Sequence, residues 1–144
     1  MHPFPHHYNI KINATPTGDL IASADHLSNL EVAPPLQFGG PGDKWSPEEL
    51  LMAAVANCLA LSFRAIASSS KLEWDSIECI SEGELNQVDR KMLFTKITSK
   101  VKLVIISEDD HAKAERLLHK AEQTCLISNS LSAELALECL VVAK

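Results

Sequence analysis

Fourteen consecutive residues, from Leu50 to Phe63, carry no charged side chain. Residues 46–49, just before them, read Ser-Pro-Glu-Glu, which puts a capping serine, an N1 proline and an N3 glutamate at a helix start. The sequence therefore predicts a helix over 47–67. The uncharged run is shorter than the roughly 20 apolar residues that cross a bilayer. We expect a central buried helix, covered by a sheet or by a partner subunit.

The whole chain has the composition of one soluble globular domain. It has 144 residues, 46% of them hydrophobic, and a net charge of −6. A chain of this length buries roughly 70% of its unfolded surface, so a core forms without disulfides or a structural metal. No cluster of Lys and Arg is present, which argues against nucleic acid and against an anionic membrane surface as partners. We predict a single domain over 1–144.

The first residues have no basic segment followed by an apolar stretch, so no signal peptide is expected and the predicted location is the cytoplasm. Thiols are kept reduced there, so the cysteines are not a disulfide framework. They also lack the paired C-x-x-C spacing of structural zinc sites, and no metal site is predicted. The cysteines are Cys58, Cys79, Cys125 and Cys139. Three early histidines are expected to be solvated rather than metal ligands; they are His2, His6 and His7.

The remaining segments predict an α+β fold, because strands and helices do not alternate as βαβ units. Period-two apolar spacing around turn residues indicates an opening hairpin, and a loop rich in Pro and Gly follows. A second, amphipathic helix is expected to end near Cys125. The predicted strands are 8–12, 20–23, 77–80, 83–86, 94–106 and 135–143, and the loop is 33–45.

Two cysteines could carry chemistry. Cys58 lies in the apolar helix, where a free cysteine is most simply a small buried hydrophobe. However, Asn57 adds an amide beside it, and Cys125 lies in a polar stretch after the second helix. If both segments face one cleft, the two sulfurs could form a reversible disulfide. Cys79 and Cys139 lie in predicted strands and are expected to serve packing.

Residues 35–58 and 120–131 resemble the OsmC/Ohr family of thiol peroxidases. The resemblance rests on a loop ending in Ser-Pro-Glu-Glu, a cysteine ten residues past the first glutamate, and a second cysteine before Ile-Ser-Asn. It implies antiparallel sheets wrapped around a long central helix in an intertwined homodimer, with a site at each subunit interface. It also implies that Cys58 is the peroxidatic cysteine, Cys125 the resolving cysteine and Glu48 an active-site carboxylate.

The place of Glu48 is open at this level. Ten residues of helix span about 15 Å, so Glu48 in a straight helix does not touch Cys58 of its own chain. It either reaches the cysteine of a partner chain or braces the loop. A carboxylate satisfied by the helix dipole is the simpler alternative, and Glu49 is the expected capping-box residue.

One departure from the family concerns the group that favours the Cys58 thiolate. Relatives that prefer organic peroxides carry an arginine in the opening hairpin, whereas residues 17–19 here read Thr-Gly-Asp and the first arginine is Arg64. The thiolate is the nucleophile and needs positive potential. Because Cys58 lies mid-helix, no helix N-terminus is expected to supply it. The candidate basic residues are Lys11, Lys44, His26 and Arg90.

The resemblance implies a peroxiredoxin-like, cysteine-based thiol peroxidase that reduces organic hydroperoxides, with hydrogen peroxide as a further candidate substrate. The apolar helix around Cys58 predicts that alkyl hydroperoxides are accepted better than hydrogen peroxide, because an apolar wall binds the alkyl part. An external dithiol or lipoyl-type reductant is expected, and no bound cofactor. The missing arginine motivates an alternative, a redox-sensing or binding dimer with low turnover. A domain with inert cysteines is the third possibility.

Overall fold

The computed structural model describes all 144 residues and contains six strands and three α-helices. Contacts divide the chain into two compact units, Met1–Leu51 and Met52–Lys144. The single domain that the sequence predicts over 1–144 therefore stays a prediction. The strands are β1 (Lys11–Asn13), β2 (Leu20–Ser23), β3 (Leu30–Val32), β4 (Trp74–Val88), β5 (Lys91–Ile105) and β6 (Glu134–Ala143), and the helices are α1 (Pro47–Ser69), α2 (His111–Thr124) and α3 (Leu126–Asn129).

The first unit holds a three-stranded antiparallel sheet in the order β1-β2-β3. Lys11 pairs with Ser23, which confirms the predicted opening hairpin, and Leu20 pairs with Val32 on the other side of β2. The Pro/Gly-rich segment that follows is a shaped loop, as predicted. Its Gly40 is required, because a Cβ there would lie 1.6 Å from the carbonyl oxygen of Pro34.

Helix α1 begins with the predicted capping box. The backbone N–H of Glu49 donates to Ser46 Oγ at 3.1 Å, and the Ser46 hydroxyl donates to Glu49 Oε1 at 2.9 Å. Ser46 is fully buried. The helix start is thus held by side chains that the sequence identifies locally.

Within its own chain, α1 is buried along one stripe only, formed by Val55, Leu59, Phe63 and Ala67. These residues are four apart and therefore lie on one face of the helix. The expectation of burial on all sides is wrong for the single chain, in which Leu61 remains 56% exposed. The predicted covering of the other faces by a partner subunit stays a prediction.

The helix is also longer than its uncharged run. Its 23 residues are enough, by length and composition alone, to cross a membrane. The short length of the uncharged run Leu50–Phe63 therefore does not by itself exclude a membrane span. A single helix of this kind is weak evidence for a membrane protein, because core helices of soluble proteins pass the same test.

The second unit holds a sheet in the order β4-β5-β6. β4 and β5 form one long antiparallel hairpin, so the two short strands predicted over 77–80 and 83–86 are a single strand. Gly83 lies within this strand and pairs with Ile97. The turn consists of Asp89 and Arg90, both with positive φ (50° and 68°).

The closing strand β6 is present as predicted, but it pairs with β5 in parallel. The second sheet is therefore mixed rather than antiparallel, because α2 and α3 carry the chain back across the sheet before β6 begins. The α+β class is confirmed. Buried residues of α1, α2 and the sheet form one core, with Phe63, Leu103 and Leu118 among the fully buried side chains.

Candidate functional site

Cys58 lies near the middle of α1 and is half-buried. Its sulfur is 4.0 Å from the hydroxyl oxygen of Ser62, one helical turn further along. Asn57, which the sequence suggested as a polar neighbour, donates its amide to the carbonyl of Ala53 instead. The polar partner of the thiol on its own helix is therefore Ser62, which the i, i+4 spacing could have identified.

Cys125 lies between α2 and α3 and is fully buried. Its backbone is extended (φ −66°, ψ 109°), and its N–H donates to the carbonyl of Glu122 at 3.3 Å. In the polar stretch that follows Cys125, residues Leu126–Asn129 form the short helix α3. The prediction that α2 ends near Cys125 is confirmed.

The structure brings Cys58 and Cys125 together. Burial raises the pKa of Cys58, but hydrogen bonds outweigh burial, and the pKa of Cys58 lies below its ordinary value. The strongest of these hydrogen bonds comes from the backbone N–H of Ile127, and the next comes from the Cys125 side chain. Further contributions come from the Ser62 hydroxyl and the Leu126 N–H. The arrangement favours a thiolate at Cys58.

The pKa of the second thiol, Cys125, is shifted in the opposite direction and lies above its ordinary value. Burial raises the pKa of Cys125, hydrogen bonds from the Ser128 side chain and backbone oppose this, and the neighbouring Cys58 raises it further. The pair can therefore hold one negative charge on Cys58 while Cys125 stays protonated. A nucleophilic thiolate beside a protonated thiol is the starting state for reversible disulfide chemistry.

The expectation that no helix N-terminus acts on Cys58 is wrong. Cys58 is mid-helix in α1, as predicted, but the first N–H groups of α3 act on its sulfur. These N–H groups lack partners within their own helix. The sequence did not identify them because a four-residue helix has no periodicity to recognise.

Glu48 lies in the first turn of α1, and one of its carboxylate oxygens, Oε2, is buried without a hydrogen-bond partner. Glu48 and Cys58 belong to the same helix, and ten helical residues rise about 15 Å. The role of Glu48 as an active-site carboxylate stays a prediction.

Lys44, one of the basic candidates, has acidic partners of its own. Its ammonium group donates to Glu31 and lies 3.8 Å from Asp19. The hydrogen bond to Glu31 raises the pKa of Lys44 and lowers that of Glu31. Arg90 forms part of the β4–β5 turn.

A small cavity of about 10 Å³ is lined by Ser128, one of the residues that act on Cys125. Ser99, Glu122 and Ser128 supply its polar side chains, and Ser99 and Ser128 are both only 5% exposed. Val55 and Leu59 supply apolar lining from α1. Local sequence patterns do not identify Glu122 or Ser128 as site residues, because their connection to the site depends on how α2 and α3 pack on the sheet.

Cys79 and Cys139 lie on β4 and β6, opposite the same residue, Val101 of β5. Both pack against the core, as predicted. Burial raises the pKa of Cys79 to about 11 and also raises that of Cys139. Neither thiol has the environment of a nucleophile.

Several known proteins have a sequence or a fold similar to that of this chain. The chain is 31% identical over 139 residues to the uncharacterized protein YmaD of Bacillus subtilis, covering 92% of this chain and 91% of that protein. It is 29% identical to the peroxiredoxin OsmC of Escherichia coli over 93 residues, 65% of this chain and 64% of that protein. An organic hydroperoxide resistance protein OsmC from Legionella pneumophila has the same fold, with a TM-score of 0.74, 23% identity, and coverage of 96% and 99%.

The resemblance seen in the sequence is confirmed by a model of the family described as OsmC-like protein. The model matches residues 40–139, which include the helix start, Cys58 and Cys125. The chain belongs to the OsmC-like protein family.

Proposed function

We propose that this protein is a cysteine-based thiol peroxidase that reduces organic hydroperoxides. Membership of the OsmC-like family implies a peroxiredoxin-like or redox-related role. The observation that supports the finer assignment is the pairing of Cys58 and Cys125, whose pKa values are shifted in opposite directions.

In the first step, the Cys58 thiolate attacks the terminal oxygen of the hydroperoxide. The O–O bond breaks, the sulfur keeps one oxygen as a sulfenate, and the alkoxide takes up a proton and leaves as an alcohol. Cys58 is oxidised by two electrons and the peroxide is reduced. The N–H groups of Leu126 and Ile127 and the Ser62 hydroxyl favour the thiolate that begins this step.

In the second step, Cys125 attacks the oxidised sulfur of Cys58, and water leaves as the disulfide forms. An external dithiol or lipoyl-type reductant returns both cysteines to thiols, so no bound cofactor takes part. We place the chemistry in the cytoplasm and in a homodimer, where Glu48 acts on the site of the partner chain.

Cys58 lies within the uncharged segment Leu50–Phe63, most of whose side chains are apolar. An apolar wall binds the alkyl part of an organic hydroperoxide and offers nothing comparable to hydrogen peroxide. Organic hydroperoxides are therefore the preferred substrates.

The test follows the consumption of cumene hydroperoxide and of hydrogen peroxide with an excess of a dithiol. We expect turnover with a preference for cumene hydroperoxide, loss of all reaction in Cys58→Ser, and one reaction without turnover in Cys125→Ser. Cys79→Ser is the matched control and keeps activity. If Cys58→Ser consumes peroxide as fast as the parent, the proposal is wrong.

A redox-sensing or binding dimer is the second candidate. It is favoured by the absence of arginine before Arg64 and by the engagement of Lys44 with Glu31. Stoichiometric oxidation of Cys58 without continued turnover, even with dithiol in excess, distinguishes it from the peroxidase.

A further inference from the structure

We propose that Glu122 is the proton acceptor of Cys125, reached through Ser128 and the cavity that the two residues share, when Cys125 attacks Cys58. This inference rests on the proposed thiol chemistry of Cys58 and Cys125. It adds a positioning residue that acts through Ser128 rather than on the substrate.

The first support is the cavity itself. Its volume of about 10 Å³ is close to the space of one water molecule, and a water there needs at least two polar partners. Ser99, Glu122 and Ser128 provide these partners, each from a different element of the second unit. The cavity therefore suits a bridging water rather than an apolar ligand.

The second support is the link from this cavity to the sulfur of Cys125. Ser128 lines the cavity and lies in the helical turn that begins at Cys125, three residues further along the chain. Its hydroxyl is among the groups that lower the pKa of the Cys125 thiol. The Cys125 N–H donates to the Glu122 carbonyl, which fixes the cysteine relative to the last turn of α2. A hydroxyl can accept one proton while donating another, so Ser128 can pass a proton from Cys125 toward Glu122.

The third support is the environment of Glu122. Burial raises its pKa, and His119 on the same helix opposes this. Across the interface with β6, Cys139 is the titratable group affected by Glu122. A carboxylate with a raised pKa accepts a proton more readily near neutral pH than an ordinary glutamate does. Glu122 is only partly buried, so it can release the proton to solvent.

When Cys125 attacks the sulfenic acid of Cys58, the S–H bond of Cys125 breaks and its electron pair forms the S–S bond with Cys58. The S–O bond of the sulfenic acid breaks at the same time. The proton moves through Ser128 and the cavity water to the Glu122 carboxylate. Hydroxide leaves Cys58 and is protonated to water, and Glu122 later returns its proton to solvent.

The experiment isolates this step from peroxide chemistry. One equivalent of 5,5′-dithiobis(2-nitrobenzoate) is added to the full-length reduced protein, where it reacts first at Cys58, the thiol with the lowered pKa. Attack by Cys125 on the mixed disulfide then releases a second thionitrobenzoate. The rate of this second phase is measured from pH 5 to 9 in the parent, Glu122→Gln, Ser128→Ala and Glu115→Gln.

Glu115→Gln is the matched control, because Glu115 lies on the same helix and also acts on Cys139 but does not line the cavity. In the parent, the rate is expected to fall with decreasing pH as Glu122 becomes protonated. In Glu122→Gln the plateau above this limb disappears, because the rate then follows the ionisation of Cys125 alone and rises with pH throughout the range. The neutral-pH rate drops by about 100-fold, the lower end of what a positioned proton acceptor contributes. Ser128→Ala slows the step as well, and Glu115→Gln leaves it unchanged.

Two results overturn the inference: a Glu122→Gln profile equal to that of the parent, or a faster second phase, which shows that the carboxylate acts only by its charge. If Glu122→Gln does not fold, an unchanged rate in Ser128→Ala overturns it instead. The readout needs no hydroperoxide. If Cys58 fails to react with peroxide, the proposed function is wrong, and the second phase still decides the role of Glu122.

Discussion

The hydroxyl of Ser62 lies 4.0 Å from the sulfur of Cys58, one turn along the same helix. It is one of the groups that lower the pKa of the thiol. We expect Ser62→Ala to raise this pKa and to slow alkylation of Cys58 at neutral pH by less than about tenfold, since one full pKa unit corresponds to tenfold in thiolate population. The measurement is the iodoacetamide rate at Cys58 against pH.

Ser68→Ala is the control for this prediction, because Ser68 is exposed on the same helix. Its alkylation profile should match that of the parent. Iodoacetamide reacts with the thiolate, so the alkylation rate rises with pH through the pKa of Cys58. An unchanged midpoint in Ser62→Ala means that the α3 N–H groups and the Cys125 side chain account for the lowered pKa without Ser62.

A second prediction concerns which disulfide forms. Cys79 and Cys139 are separated by the whole of β5, so their Cα atoms are about 10 Å apart, two strand spacings. A disulfide needs Cα atoms within roughly 7 Å. Mild peroxide treatment followed by peptide mapping should therefore yield only the Cys58–Cys125 linkage. A Cys79–Cys139 linkage in folded protein contradicts this strand register.

A third prediction uses the thiol of Cys79, whose pKa burial raises to about 11. Above the ordinary cysteine pKa of about 8.5 the unfolded chain loses this proton while the folded chain keeps it. The free energy of unfolding should therefore fall as the pH rises from about 8.5 toward 11. Partial exposure limits the effect to about 1–2 kcal/mol at the alkaline end.

Urea titrations of the parent and of Cys79→Val across this pH range measure the effect. Valine suits a half-buried strand position and does not titrate. The difference in stability between the two proteins should therefore shift in favour of valine at alkaline pH. A difference that does not depend on pH contradicts the raised pKa.

Local signals account for what the sequence predicted correctly. The capping of α1 by Ser46 and the family motif around Cys58 lie within short segments, as does the opening hairpin. The residues alone gave the meeting of Cys58 and Cys125 only as a condition, that both segments face one cleft, because it depends on packing between residues far apart in the chain. The resemblance was needed to imply that they meet. Helix α3 was missed because four residues show no period, and its N–H groups were missed with it.

The sheet illustrates the same limit. The sequence predicted two short strands, 77–80 and 83–86, and the second begins at Gly83, a residue type that weakens a strand. The structure instead uses its missing side chain: a Cβ at this position would lie 2.7 Å from Met52 Sδ and 2.8 Å from ring atoms of Phe94. Such a close approach between α1 and the sheet cannot be inferred from local pattern.

A fourth prediction concerns the close approach of Met52 and Phe94 to Gly83. Gly83→Ala forces Met52 or Phe94 to move, and overpacking of this kind costs about 1–3 kcal/mol. Glu82→Ala is the control, because residue 82 is exposed on the opposite face of the same strand. Urea denaturation of both variants measures the free energy of unfolding. A Gly83→Ala variant as stable as Glu82→Ala means that α1 does not approach the strand this closely.

A fifth prediction concerns the start of α1. Ser46 accepts the N–H of Glu49 and donates to its carboxylate, and it is fully buried. Ser46→Ala removes both hydrogen bonds and should lower the free energy of unfolding by about 1–2 kcal/mol. Ser46→Thr keeps the hydroxyl and should lose less, although its extra methyl group must fit a buried position. Equal losses in the two variants mean that packing, rather than the capping hydrogen bonds, makes Ser46 important.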